Sequence, residues 1–288
     1  MANKDSLGDR MKENYEGRFK FKLMRRTPVI IRIDGRSFHV WTKGFNKPFD
    51  KVLSNAMDKT MKQLCENIQG CVFGYTQSDE ITLVLNDYKT FETSAWFDYE
   101  VQKLCSITAS MATAYFNKNF IDEVDNFYES IEEDEIKDFV EKYRISDTSK
   151  TMSIYDAYCR AISKTAMFDA RCFNIPESEV TNCTIWRQQD CTRNSIEMVG
   201  RTYFSDKELF KKNCSNIQDM LMEKYNVNWN DFPVRYKRGC ACYKRSVGDG
   251  DICRDEWYID YDMPIITQDR EYVEKWIRNQ IENKLLTV

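Results

Sequence analysis

Two hydrophobic periods alternate between residues 28 and 175, and their order constrains the fold more than any other feature of the chain. Pro28 to Ile33 is a short apolar run rich in β-branched residues with a proline at its start, the pattern of a buried strand. After Lys47-Pro48-Phe49-Asp50, the residues Leu53, Met57, Met61, Leu64 and Ile68 recur at three- and four-residue steps, as on an amphipathic helix. CVFGYTQSDEITLVLN, residues 71 to 86, reads as two strands joined by a polar turn at Gln77-Ser78. A long helix is expected over roughly Thr93 to Asn117, with Trp96, Leu104, Ile107 and Met111 on one face. Phe168 to Ile175 is a further strand, stopped by Pro176. Strand, helix, hairpin, helix, strand is the βαββαβ order of a ferredoxin-like, palm-type antiparallel sheet, so an α+β fold with packed helices is expected.

The remainder adds helices and a hairpin. Glu177 to Thr202 and residues 205 to 226 read as helical, the first helped by acids in its opening turn. RGCACYKR, the turn SVGDGD and EWYIDYD form an alternating hairpin. Asp269 to Leu285 closes as a helix with Tyr272, Val273, Trp276, Ile277 and Ile281 on its apolar side.

Composition excludes several classes. No window of the 288 residues approaches the ~20 apolar residues that cross a bilayer. The polar opening MANKDSLGDRMKENYEGR lacks a signal-peptide core, so a soluble, cytoplasmic protein without membrane contact is expected. Eleven cysteines include no CxxC, and a single histidine makes a Cys/His zinc site improbable. The cysteines read instead as small buried hydrophobes in a reducing compartment. A net charge of −4 argues against bulk attraction to nucleic acid, yet basic residues cluster at Arg18, Lys20, Lys22, Arg25 and Arg26 and again at Arg235, Lys237, Arg238, Lys244 and Arg245. Acid concentrates in residues 129 to 143. Taken singly, each such run is a solvated face.

Chemistry enters at the end of the first strand. Asp34-Gly35 alone reads as a turn. Asp79 and Glu80, at the hairpin turn, could fold beside it, and two close acids are tolerated chiefly when a cation or proton offsets their repulsion. Strand side chains alternate, so Asp79 and Glu80 point to opposite faces unless a turn re-aims one, and only one need join Asp34. Asp34, Asp79 and the carbonyl of Gly35 are hard oxygen donors suited to Mg²⁺, which completes its shell with water and substrate phosphate. A glycine beside such a site lets a nucleotide approach the backbone, and the spacing suits two-metal phosphoryl transfer.

RIDGRSFH, FNKPFD and YTQSDE in that order, followed by MFDAR at 167 to 171, WRQQD at 186 to 190 and RYKRG at 235 to 239, closely resemble the tRNA-histidine guanylyltransferase family and its Thg1-like relatives, the 3′-to-5′ polymerases. The likeness spans roughly residues 11 to 245. It implies two Mg²⁺ ions per active site held by Asp34, Gly35 and Asp79, with Ser78 and Glu80 also needed for activity. It implies nucleotide handling by Lys47 and by the segment Gly35, Arg36, Ser37, Phe38 and His39. His39 is weighed as an acid or base against a role in fixing the loop, and is placed as a supporting residue. The reaction implied adds nucleotides to the 5′ end of tRNA after activation with ATP, with GTP or other triphosphates as substrates. The family forms homotetramers sharing a tRNA. Arg187, Arg193, Asn194, Lys237, Arg238 and the two basic clusters are the expected RNA or triphosphate contacts. On this reading residues 1–245 are the catalytic region with its tRNA-contacting helices, and 246–288 are a C-terminal hairpin and helix extension.

One departure bears on the substrate. Enzymes that add the extra guanylate to histidine tRNA carry His-Ile-Asn after the WRQxDC segment, where this chain has Thr192-Arg193-Asn194. In this it resembles the Thg1-like branch, which repairs 5′-truncated tRNA with base pairing as the template and the protein reading shape and phosphates. A cyclase or another palm-type enzyme is the alternative from fold alone. A non-catalytic RNA-binding scaffold would not need Asp34, Gly35, Lys47 and Asp79 together.

Overall fold

The computed structural model describes residues 6–132, 148–248 and 254–278. Most of the acidic segment 129–143, the hairpin turn at 249–253 and the expected helix beyond 278 lie outside the described residues. Among the described residues, six strands form one sheet: β1 (Val29–Gly35), β2 (Cys71–Gln77), β3 (Glu80–Leu85), β4 (Phe168–Asn174), β5 (Cys240–Val247) and β6 (Arg254–Asp260). Their order is β4-β1-β3-β2-β5-β6, and every neighbouring pair is antiparallel. Arg245 therefore lies inside β5, and β6 carries the same sheet onward. β4 and β6 are the outer strands, with Asp169 and Arg171 exposed on one and Arg254 and Asp255 on the other.

Helices cover both faces, which explains why β1 reads as an apolar run interrupted only at Arg32. Ile31 and Ile33 point into a core shared with α3 (Lys51–Asn67), α4 (Val101–Glu132) and α5 (Thr148–Ile162). Ile30 points to the other face, against α6 (Glu177–Tyr203) and the closing helix α10 (Glu271–Ile277). Tyr272, Val273 and Ile277 are buried there. The stripe of α3 is as the spacing predicts: Met57, Met61 and Leu64 are fully buried.

Three expectations are corrected. The long helix starts at Val101, not Thr93, because Trp96–Tyr99 is a 3-10 turn with Phe97 and Asp98 at positive φ. The buried stripe of α4 is Leu104, Thr108, Ala112, Phe116, Phe120 and Val124, a strict four-residue step that leaves Ile107 exposed. Residues 205 to 226 break into α7 (Asp206–Leu209) and α8 (Cys214–Tyr225), the second capped by the Asn213 side chain, which accepts from Asn216 N–H at 2.9 Å. The sequence reading also missed α5, whose Ile154, Ala157, Tyr158 and Ala161 are buried.

A buried ion pair ties α3 to α9 (Val234–Arg238). Arg235 Nη2 lies 2.6 Å from Asp58 Oδ1, its Nε donates to Oδ2 at 2.9 Å, and the Cys240 thiol donates to Oδ1 at 3.2 Å. Gly239 follows at φ +82°, where a Cβ would stand 2.4 Å from the Thr76 carbonyl oxygen. Asp58→Ala leaves the Arg235 cation buried and uncompensated. It is expected to destabilise the fold by about 3–5 kcal/mol, read by denaturant unfolding, whereas a loss under about 1 kcal/mol would mean that the pair is solvated.

Candidate active site

The tip of β1 is fixed by its own backbone. Gly35 N–H donates to the Asp79 carbonyl at 3.0 Å, and Arg36 N–H donates to the Met167 carbonyl at 2.8 Å. The β2–β3 turn thus sits against the end of β1. Ser78 takes a left-handed conformation in that turn, and its hydroxyl donates to Asp79 Oδ1 at 3.0 Å. The chain then doubles back under Gly35: Ser37 is left-handed and leads into the short helix α2 (Phe38–Trp41). A Cβ on Gly35 would lie 2.4 Å from the Phe38 ring, so no other residue fits there without displacing that ring. Phe38 is held in place by Trp41, Phe116 and Phe168 at 5.1, 5.5 and 5.2 Å between centroids.

Register places three acids side by side. Asp34 pairs with Glu80 on β3 and with Asp169 on β4, so their side chains share one face. Glu80 is neutralised twice: Arg187 donates from Nε and Nη2 at 2.6 and 2.8 Å, and Arg32 from Nη2 at 2.8 Å. Asp169 pairs with Arg171 at 2.9 Å. Among the described residues, Asp34 and Asp79 have no ion-pair partner. Burial, then the nearby Glu80 and Asp169 charges, holds the Asp34 carboxyl above the usual carboxylate range. Burial also raises Asp79, helped by Asp34 and Glu80 and opposed by the Ser78 hydrogen bond.

The donor set fits a hard divalent cation. Among the described residues no group of three or more His, Cys, Asp or Glu side chains could hold a metal by itself. Asp34 and Asp79 would therefore need the Gly35 carbonyl, water or phosphate oxygens to complete a shell, as Mg²⁺ commonly takes.

A cavity of about 800 Å³ opens beside this tip. Gly35, Ser37, Phe38 and His39 form one wall with Ser78 and Asp79, and the loop from Thr42 to Asp50, including Lys43 and Lys47, forms another. Asn194, Met198 and Arg201 of α6 close a third side. Asp50 shapes the loop, accepting from Asn46 N–H and Leu53 N–H at 2.9 Å each and from the Tyr158 hydroxyl at 2.7 Å. Lys43, Lys47 and Arg201 are exposed cations on the rim, with Arg201 3.6 Å from Glu197.

Gly35, Ser37, Phe38, His39, Lys47, Ser78, Asp79 and Asn194 thus share one cavity, while Asp34, Arg36 and Glu80 lie at the adjoining strand ends. Several residues expected to contact RNA are engaged within the fold. Arg187 is buried and committed to Glu80 and Asp190, and Lys237 is buried with its Nζ donating to the Asn230 carbonyl at 2.5 Å. Arg193 also pairs with Asp190, but its side chain stays exposed at the surface. In the first basic cluster, Arg25 pairs with Asp87 at 2.6 Å and Arg26 donates to the carbonyls of Asp87, Thr90 and Phe91, so both brace a loop. Sequence reasoning missed Arg201. Its position seven residues after Asn194, two helical turns along one face, was the available signal.

Both raised acids carry a stability consequence. Their folded-state pKa values exceed the unfolded ones, so the penalty is absent below the ordinary carboxylate range and grows as pH rises through the raised values. Asp34→Asn is expected to raise the melting temperature of the metal-free protein at about pH 7 and to leave it nearly unchanged at ~pH 3.5. Thermal melts in chelator check this, and equal shifts at both pH values would contradict it.

The sequence model of tRNAHis guanylyltransferase matches residues 8–176. An uncharacterized protein of Acanthamoeba polyphaga mimivirus is 29% identical over 255 residues, 84% of this chain and 78% of its own length. A probable tRNA(His) guanylyltransferase of Dictyostelium discoideum is 24% identical over 238 residues, covering 78% of each. A bacterial tRNA(His) guanylyltransferase-like protein solved in complex with ATP superposes with a TM-score of 0.74 at 40% identity, over 95% of this chain and 100% of the other. One solved in complex with GTP gives 0.72 at 37% identity, over 95% and 99%. With residues 8–176, more than half of its length, matched by the family's sequence pattern, the chain belongs to the tRNAHis guanylyltransferase family, whose members are nucleotidyltransferases.

Proposed function

We propose that the chain is a template-dependent 3′-to-5′ nucleotidyltransferase that extends the 5′ end of truncated tRNA, working from a ferredoxin-like palm. The observation that carries this is the pair Asp34 and Asp79, which lack ion-pair partners among the described residues and are raised by burial, with Asp79 lining a cavity rimmed by Lys43, Lys47 and Arg201 and Asp34 at the adjoining strand end. A cation there would offset two carboxylates while the rim holds a triphosphate, which suits phosphoryl transfer. The strand order β4-β1-β3-β2, with β1 between β4 and β3, supports the palm reading. ATP- and GTP-bound relatives support triphosphates as substrates.

Asp34, Asp79 and the Gly35 carbonyl would hold two Mg²⁺ ions. When bound, these supply a lowered pKa at the attacking hydroxyl and offset charge on the phosphates. The chain's own residues bind and align. Lys47 and Lys43 bear on the triphosphate, Ser78 fixes the Asp79 carboxylate through its hydrogen bond, and the Arg32–Glu80–Arg187 cluster holds the turn in register. The RNA 5′-monophosphate is first adenylylated by ATP with release of pyrophosphate, or a 5′-triphosphate is used directly. The 3′-hydroxyl of the incoming nucleotide then attacks the 5′ phosphorus, expelling AMP or pyrophosphate.

Repair is favoured over a single guanylate addition by the Thr192-Arg193-Asn194 run. Thr192 hydroxyl donates to the Lys237 carbonyl at 3.0 Å and Arg193 pairs with Asp190, so only Asn194 of the three lines the cavity. A homotetramer and a cytoplasmic location are carried over from the family resemblance and the composition.

The test is incubation with ATP, the four nucleotides, Mg²⁺ and a tRNA lacking its first 5′ nucleotide, labelled at the 5′-monophosphate. The label is expected inside a longer product ending at the fully paired stem. Asp79→Ala is expected to lower addition at least about 10²-fold while RNA affinity stays within about twofold. Turnover of nucleotide without RNA would instead indicate a cyclase, and one guanylate added only to intact histidine tRNA would replace repair with maturation.

A further inference from the structure

Trp186 opens the WRQQD segment on α6, next to the buried Arg187, yet it is 51% exposed. Its ring lies against two guanidiniums, with the Arg187 carbon 4.4 Å and the Arg32 carbon 5.0 Å from the centroid. Both guanidiniums donate to the one buried carboxylate of Glu80, so the cations behind the ring are fixed and neutralised. A large indole held this way, with half its surface open, is a rigid aromatic face at low entropic cost.

Its place relative to the acids gives that face a use. Arg32 stands two residues before Asp34 on the same side of β1, and Glu80 is the cross-strand partner of Asp34. Trp186 does not line the triphosphate cavity, whose lining on α6 begins five residues on, at Cys191. Arg171, cross-strand partner of Arg32, and Arg193, joined to Arg187 through Asp190, are exposed cations of the same patch. An exposed aromatic ring among arginines beside a phosphoryl-transfer site is the chemistry that binds single-stranded nucleic acid, because every base has a face to stack and each phosphate a charge to pair.

We propose that Trp186 is the stacking platform for an unpaired base at the RNA end that presents its 5′ phosphate to Asp34 and Asp79. This rests on the proposed reaction for the identity of the RNA, though not for the contact. The ring holds the base flat while the triphosphate occupies the neighbouring cavity. Stacking carries no sequence preference, so the platform serves any base that the template has left unpaired.

Fluorescence anisotropy of a labelled 5′-truncated tRNA tests this without requiring catalysis. Trp186→Ala is expected to weaken binding by about 5- to 100-fold, and Trp186→Phe to stay within about threefold of wild type. ATP affinity and melting temperature are expected to hold. A plot of log K against log salt should shift in parallel, because a stacking contact neutralises no phosphate. A blunt RNA duplex should bind wild type and Trp186→Ala equally. Unchanged affinity in Trp186→Ala would overturn the proposal, and so would a flatter salt slope, which would assign the loss to the arginines. Wild type that binds the RNA but adds no nucleotide would defeat the proposed reaction while leaving the stacking contact to be decided by the variants.

Discussion

The carboxylate of Glu80 is buried at the centre of the site, and a buried charge is tolerated only when it is paired and hydrogen-bonded. Arg32 from β1 and Arg187 from α6 meet that requirement together, which joins the tip of the sheet to a 27-residue helix through one group. The same pairing sorts the acids of the strand ends into different roles. Glu80 and Asp169 have arginine partners, and Asp34 and Asp79 face each other's charge with none among the described residues. Electrostatics thus prepares one place for a cation and withholds it from the neighbouring carboxylates.

Around that place the backbone leaves little freedom. Phe38 occupies the volume that a Gly35 side chain would need, and its aromatic neighbours come from α2, α4 and β4, so the glycine is enforced by the core. The wall opposite is tied down by Asp50, which receives two backbone amides and a tyrosine hydroxyl from α5. The cavity between these walls is shaped by contacts that predate any ligand, as preorganised binding requires.

Much of this was legible from local pattern. Two short apolar runs on either side of a polar turn located the hairpin in residues 71 to 86, and its turn acids fell beside Asp34 because antiparallel register leaves few other arrangements. What depended on distant partners was not legible. Arg187 reads as a solvated helical arginine until Glu80, 107 positions away, is placed against it. Lys237 and Arg235 are hidden in the same way, by Asn230 and Asp58. Trp96 looks like a helix-face aromatic, yet positive φ at Phe97 and Asp98 ends any helix there. The helix α5 escaped notice because small residues carry its buried side: Ala157 and Ala161 give little hydrophobic contrast, although Tyr158 seals the core.

The outer strands of the sheet have a bearing on life at high concentration. Among the described residues, β4 and β6 each have no further strand beside their outer row of backbone donors and acceptors, the feature through which sheets recruit copies of themselves. Asp169 and Arg171 on one rim, and Arg254 and Asp255 on the other, are exposed and charged. A second chain laid along either rim would have to strip water from those charges or match their signs residue by residue. Growth of the sheet from copy to copy is thereby discouraged at both rims, and contacts between copies are steered toward the helical surfaces, where a few residues can change without disturbing the strand tips.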